Sequence, residues 1–118
     1  MHGWFFLGKD ECMTEEKIQG MSFEIIGYAG NAFSYFYEAV EEMMEGNKEK
    51  AKELYDLGKT ELTQAHKVQT DLLVSEAKGE KIDTNVILIH AQDHLMTTIM
   101  YERIAKQMIR IIDKEDKL

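Results

Sequence analysis

Two imidazoles, a carboxylate and an amide are crowded into His90-Ala91-Gln92-Asp93-His94, within a stretch otherwise dominated by Ile, Leu and Met. On a helix His90 neighbours Asp93 at i+3 and His94 at i+4, so these three project towards one side. Burying that much polarity costs free energy unless each group finds a partner. A lone histidine on an apolar helix is ordinarily a hydrogen-bonded core residue. A carboxylate flanked by two histidines is poorly explained by packing, which Leu or Ala would serve better.

Two chemistries fit the cluster. Imidazole is a good phosphoryl acceptor near neutral pH, because it is partly unprotonated and a neighbour can hold its second nitrogen. Positioning and electrostatic stabilisation then do most of the catalytic work. The other chemistry is metal binding, since His at i and i+4 can chelate an ion from one helix face. That reading makes the chain a helical metalloprotein with His90, Asp93 and His94 as ligands within one chain. The His-Glu-x-x-His pattern of metalloproteases is absent, because Ala91 follows His90. Spacing alone does not separate the two chemistries. A third reading is a structural bundle with no chemistry.

A secondary site is suggested by Ala65-His66-Lys67-Val68-Gln69-Thr70, where His66, Gln69 and Thr70 flank an apolar stripe on adjacent turns. Helix-surface polarity is the plainer account of these residues. The methionines at 43, 44, 96, 100 and 108 read as adaptable core filling. His2 is given no role.

The elements that must position these groups are helical. Proline is absent, and the convincing breakers are Gly46-Asn47 and Gly79-Glu80. They divide the chain into segments of roughly 15–45, 48–78 and 84–113, each with helical spacing. The apolar stripes run through Ile25, Ala29, Ala32, Phe36, Val40 and Met43; then Ala51, Leu54, Gly58, Leu62, Ala65, Val68 and Leu72; then Val86, Ile89, Asp93, Met100, Ile104, Met108 and Ile111. Asp83 or Thr84 is expected to cap the third helix. Long helices on short turns must pack antiparallel, so the predicted fold is all-α, an up-down-up three-helix bundle. The third helix has so little polar face that it calls for protein on most sides, which predicts self-association through it.

Composition narrows the function. A chain of 118 residues has room for one domain and one modest core. Its formal net charge of −8 repels phosphate backbones, so nucleic acid is not an expected partner. The same charge suits a basic patch on another protein. The single cysteine, Cys12, cannot close an internal disulfide, and no apolar run is long enough to span a bilayer. A cytoplasmic location follows as an expectation. The segment Trp4-Phe5-Phe6-Leu7 is too short for a signal-peptide core. Residues 1–14 are expected to be a poorly ordered extension, with Met13 as the working start and 15–118 as the single domain.

The stretch His90-Ala91-Gln92-Asp93-His94-Leu95-Met96-Thr97 resembles the signature of IIA proteins of the lactose/cellobiose (diacetylchitobiose) branch of the bacterial sugar phosphotransferase system. Residues 65–70 resemble the second-helix segment of that family, Ile26-Gly27-Tyr28-Ala29-Gly30-Asn31-Ala32 the first, and Lys78-Gly79-Glu80-Lys81 the second turn. The resemblance runs from about residue 18 to 112. It implies a homotrimer of three-helix bundles with His90 as the phosphorylated residue, accepting from phospho-HPr and donating to a cysteine of IIB, which feeds the membrane component IIC. It further implies that Asp93 lies near the three-fold axis and binds a divalent metal such as Mg²⁺, one per trimer. Gln92 and His94 would then support the phosphoryl group or orient the imidazole, with His66 lining the same groove. Phe33 departs from the basic residue that many relatives carry there. His-Ala-Gln leans towards the cellobiose/diacetylchitobiose branch.

Overall fold

The computed structural model describes residues 12–116. Three long helices make up nearly all of it: α1 (Glu15–Met44), α2 (Lys48–Ala77) and α3 (Val86–Asp116). The all-α, up-down-up architecture is the one expected, with α1 and α3 parallel and α2 between them in the chain and antiparallel to both.

Each helix end has a local cause. Thr14 caps α1 by accepting from the Lys17 amide at 3.1 Å. Gly46 and Gly79 end α1 and α2 with φ of 85° and 101°, a left-handed conformation that costs glycine little. The cap of α3 is not Asp83 or Thr84 but Asn85, whose Oδ1 accepts from the Leu88 amide at 2.8 Å. Asn offers the same short acceptor as Asp, one or two residues later than expected.

The start of the ordered domain also moves. Met13 is buried, and its amide donates to the Lys81 carbonyl at 2.9 Å, so residues 12–14 dock on the turn between α2 and α3. Residues 12–14 of the expected extension thus pack against the domain, and the rest of it, residues 1–11, lies outside those described.

α1 is the middle of the bundle. It packs along both other helices, whereas α2 and α3 meet only sparsely. Its face of Ile18, Ile25, Ala29, Ala32, Phe36 and Val40 is fully or nearly fully buried. Leu62, Ala65, Val68 and Leu72 of α2 and Leu88, Ala91, Leu95 and Ala105 of α3 close on it. Where the helices approach most closely the sequence supplies small residues. Gly58 lies against the Phe36 ring, so a Cβ there would sit 2.6 Å from Phe36 Cε1.

The third stripe lies mostly on the outside of the bundle. Val86, Ile89, Met100, Ile104 and Ile111 do not face the core; Val86 is 82% exposed and Met100 59%. The core face of α3 is Leu88, Ala91, Leu95, Thr98 and Ala105. α3 thus carries apolar residues on two sides, which periodicity alone cannot rank. Met44, Met96 and Met100 are likewise exposed rather than core filling.

Polar ties span the thin α2–α3 seam, two of them towards its far end from Gln92. Lys48 pairs with Asp113 at 2.8 Å, and the Tyr55 hydroxyl donates to the Glu102 carboxylate. Partial burial, reinforced by that hydrogen bond, pushes the Tyr55 phenol well above its ordinary 10.0. Between pH 10 and the folded value, the unfolded chain has lost a proton that the folded chain keeps, so stability falls as pH rises. Tyr55→Phe should show a shallower loss of urea resistance above pH 10 than the wild type, measured by circular dichroism. Gly58→Ala should lower the midpoint through overpacking against Phe36, typically about 1–3 kcal/mol before any gain in helix propensity. Gly20, with open space around it, should respond in the opposite direction, gaining up to about 1 kcal/mol as Ala in the same titration.

Candidate functional site

The candidate residues stand in the first turns of α3, where Asn85 sets the start of the helix and hence the angle at which each side chain leaves it. They fan out rather than converge. His90 is exposed, Asp93 is exposed, and Gln92 and His94 are half-buried. The expected burial of the carboxylate and of the first imidazole therefore does not arise within a single chain, because this face of α3 has no helix over it.

His94 is the fixed member. Its ring lies over the α1 backbone at Gly30, where a Cβ would be 3.5 Å from Nε2. One turn on, buried Thr98 donates to the His94 carbonyl at 2.9 Å and also reaches the Ala29 carbonyl at 3.4 Å. The backbone that carries His94 is thereby held against α1. The His90 and His94 rings are nearly parallel, 12° apart in plane with centroids at 6.2 Å. One imidazole is seated against the bundle; the other is free to meet a partner.

Gln92 is placed differently from expectation. It leaves α3 about 200° around the axis from His90, and its amide Nε2 donates to Gln69 Oε1 on α2. It fastens the upper α2–α3 seam instead of facing His90. His66 also stands apart: it is exposed on α2 and lines a small hollow with Lys59, Leu62, Thr63 and Glu102. The structure does not bring it to His90.

Among the described residues, no group of three or more His, Cys, Asp or Glu side chains is arranged to hold a metal. His90, Asp93 and His94 do not form a chelate within one chain, which removes the geometric basis of the single-chain metalloprotein reading. Asp93 instead lies on a seam of α3 that alternates steps of four and three: Val86, His90, Asp93, Thr97, Met100, Ile104, Gln107 and Ile111. This is the 3.5-residue spacing of a coiled-coil face. Every residue of the seam is exposed.

Sequence reasoning assigned no role to Gly30, and it singled out Gln69 beside His66 and Thr70 without its pairing to Gln92. Gly30 had a legible signal, since glycine inside a helix costs about 1 kcal/mol relative to alanine and asks for a reason. The pairing of Gln69 had none, because it depends on how two helices happen to be in register.

The family model for "PTS system, Lactose/Cellobiose specific IIA subunit" matches residues 20–113. The chain is 39% identical over 102 residues to the PTS system lactose-specific EIIA component of Staphylococcus epidermidis, covering 86% of this chain and 98% of that one. It is 40% identical over 99 residues to the protein of the same description from Streptococcus mutans, covering 84% and 95%. Among solved structures, the PTS cellobiose-specific enzyme IIA from Bacillus anthracis has a TM-score of 0.83 at 37% identity, over 89% of this chain and 94% of the other. PtcA from S. mutans also has a TM-score of 0.83, at 40% identity over 86% and 99%.

Proposed function

This chain belongs to the lactose/cellobiose-specific IIA family of the sugar phosphotransferase system, and from that premise we propose that His90 is its phosphoryl acceptor. The phosphocarrier role in sugar uptake comes with the family. The observation that carries the assignment to His90 is its exposure beside a second imidazole that is anchored to α1. A carrier must be reached by two different proteins in turn, and an exposed ring on a rigid helix allows that.

In this reading phospho-HPr presents a phosphohistidine to His90. The donor N–P bond breaks as a new N–P bond forms at the unprotonated His90 nitrogen, with little covalent work left to the protein. In the second half the IIB cysteine thiolate attacks phosphorus, the S–P bond forms as the His90 N–P bond breaks, and the electron pair returns to the imidazole nitrogen, restoring its starting state. His94 serves as the fixed neighbour that hydrogen-bonds the added oxygens. Gln92 acts indirectly, by holding α3 to α2 through Gln69. IIB then supplies the membrane component IIC, and the cargo is a disaccharide of the lactose or cellobiose/diacetylchitobiose type. Among the described residues no helix is long and apolar enough to cross a membrane, and a cytoplasmic carrier is consistent with that.

The exposed seam of α3 supports a homotrimer. Three copies joined along it bury Met100, Ile104 and Ile111 and bring three Asp93 carboxylates towards one axis. Among the described residues Asp93 forms no ion pair, and like charges gathered that way call for a cation. Asp93 from each chain would hold one divalent ion, Mg²⁺ by its preference for oxygen, whose charge offsets the repulsion. The surface charge of −8 argues for protein partners and against nucleic acid.

Intact-mass measurement after incubation with phosphoenolpyruvate, enzyme I and HPr should show one acid-labile phosphoryl group per chain, absent in His90→Ala. Retention of the group in that variant would place the acceptor elsewhere. Metal analysis of the purified oligomer should give one divalent ion per three chains, lost in Asp93→Asn. One ion per chain would restore the single-chain metalloprotein.

A further inference from the structure

The sparse contact between α2 and α3 leaves a cleft of about 350 Å³ near the end of the bundle remote from His90. Lys106 lies sixteen residues beyond His90 in α3, about 24 Å along the axis at 1.5 Å per residue. The walls are mainly apolar, with Ala51, Ile109 and Met43 below and the Tyr55 ring at one end. Among the described residues the rim carries Lys48, Lys52, Lys106 and Arg110 together with the Asp113 carboxylate.

The charges are not balanced inside the chain. Lys48 is paired with Asp113 and Lys52 with Asp56. Lys106 and Arg110 stand at i and i+4, a like-charge spacing that destabilises a helix by a few tenths of a kcal/mol. Glu102, one turn before Lys106, is taken by the Tyr55 hydroxyl. No ion pair among the described residues answers Lys106 or Arg110, although acidic residues outnumber basic ones by 22 to 14. The cleft also faces away from the α3 seam: Lys106 leaves the helix about 200° from Ile104. Association along that seam leaves it open.

From this arrangement we infer that the α2–α3 cleft is a binding site for an amphiphilic organic anion. Its carboxylate or phosphate head lies between Lys106 and Arg110, and a short apolar body lies on Ile109, Ala51 and Met43. The volume falls at the lower end of small-molecule pockets, and it suits a chain of several carbons better than a polymer. Inorganic phosphate lacks the body that the apolar floor selects. A neutral alcohol lacks the head.

Octyl phosphate is the probe. Titrated into the full-length oligomer with ¹³C-methyl-labelled isoleucine and methionine, it should shift the Ile109 and Met43 methyl signals saturably, at one equivalent per chain. Octanol and inorganic phosphate should leave them in place at the same concentrations. The double variant Lys106→Gln, Arg110→Gln should bind at least about tenfold more weakly, the loss expected for removing charge-assisted hydrogen bonds. Phosphoryl acceptance at His90 should be unaltered in it, showing that the fold is intact. Absence of a shift at Ile109, or equal affinity in the double variant, would overturn the site. So would an Ile109 methyl shielded from every probe by a neighbouring copy.

Discussion

The arrangement depends on one unequal division of packing: α1 satisfies both of the other helices, and those two scarcely satisfy each other. Burial is the dominant favourable term in folding, and here most of it is gathered around Ile18, Ile25, Ala29, Ala32 and Phe36. α3 is held along one side only. Its remaining circumference is left with exposed apolar residues and with His90 and Asp93. A helix embedded on all sides within its own chain would have no face on which to offer an imidazole to other proteins.

That division also explains why the site has one fixed and one free histidine. Residues four apart on a helix differ by about 40° in direction, so His94 turns onto α1 while His90 clears it. The α1 backbone under His94 is bare at Gly30, and Thr98 ties the turn below to Ala29. Rigidity is thus transmitted to the neighbourhood of His90 through main-chain contacts, with no hydrogen bond to the His90 ring needed to supply it.

Much of this was legible in the sequence, for identifiable reasons. Helix count, lengths and breakers followed from glycine placement and the absence of proline. The α1 and α2 core faces followed from apolar spacing, since each has one apolar stripe. α3 has two, and the stripe that spacing picks out, with Val86, Ile89 and Met100, is on the outside. Periodicity reports that a stripe exists but not what covers it. The same ambiguity made Asp93 look buried. Gln92 was grouped with His90 by nearness in sequence, although a step of two residues points to opposite sides of a helix. The pairing of Gln92 with Gln69 and the seat of Met13 depend on tertiary register and leave no local trace.

The tie from Met13 to Lys81 has a mechanical meaning for the helix that follows it. It stitches residues 12–14 to the connection before α3, which opposes any creep of α3 along its groove. A slip of one residue would swing every side chain by about 100° and turn His90 away from its present exposed face. The short pairing at residues 12–14 acts as an indexing pin, setting the height and azimuth of the His90 imidazole relative to the rest of the bundle.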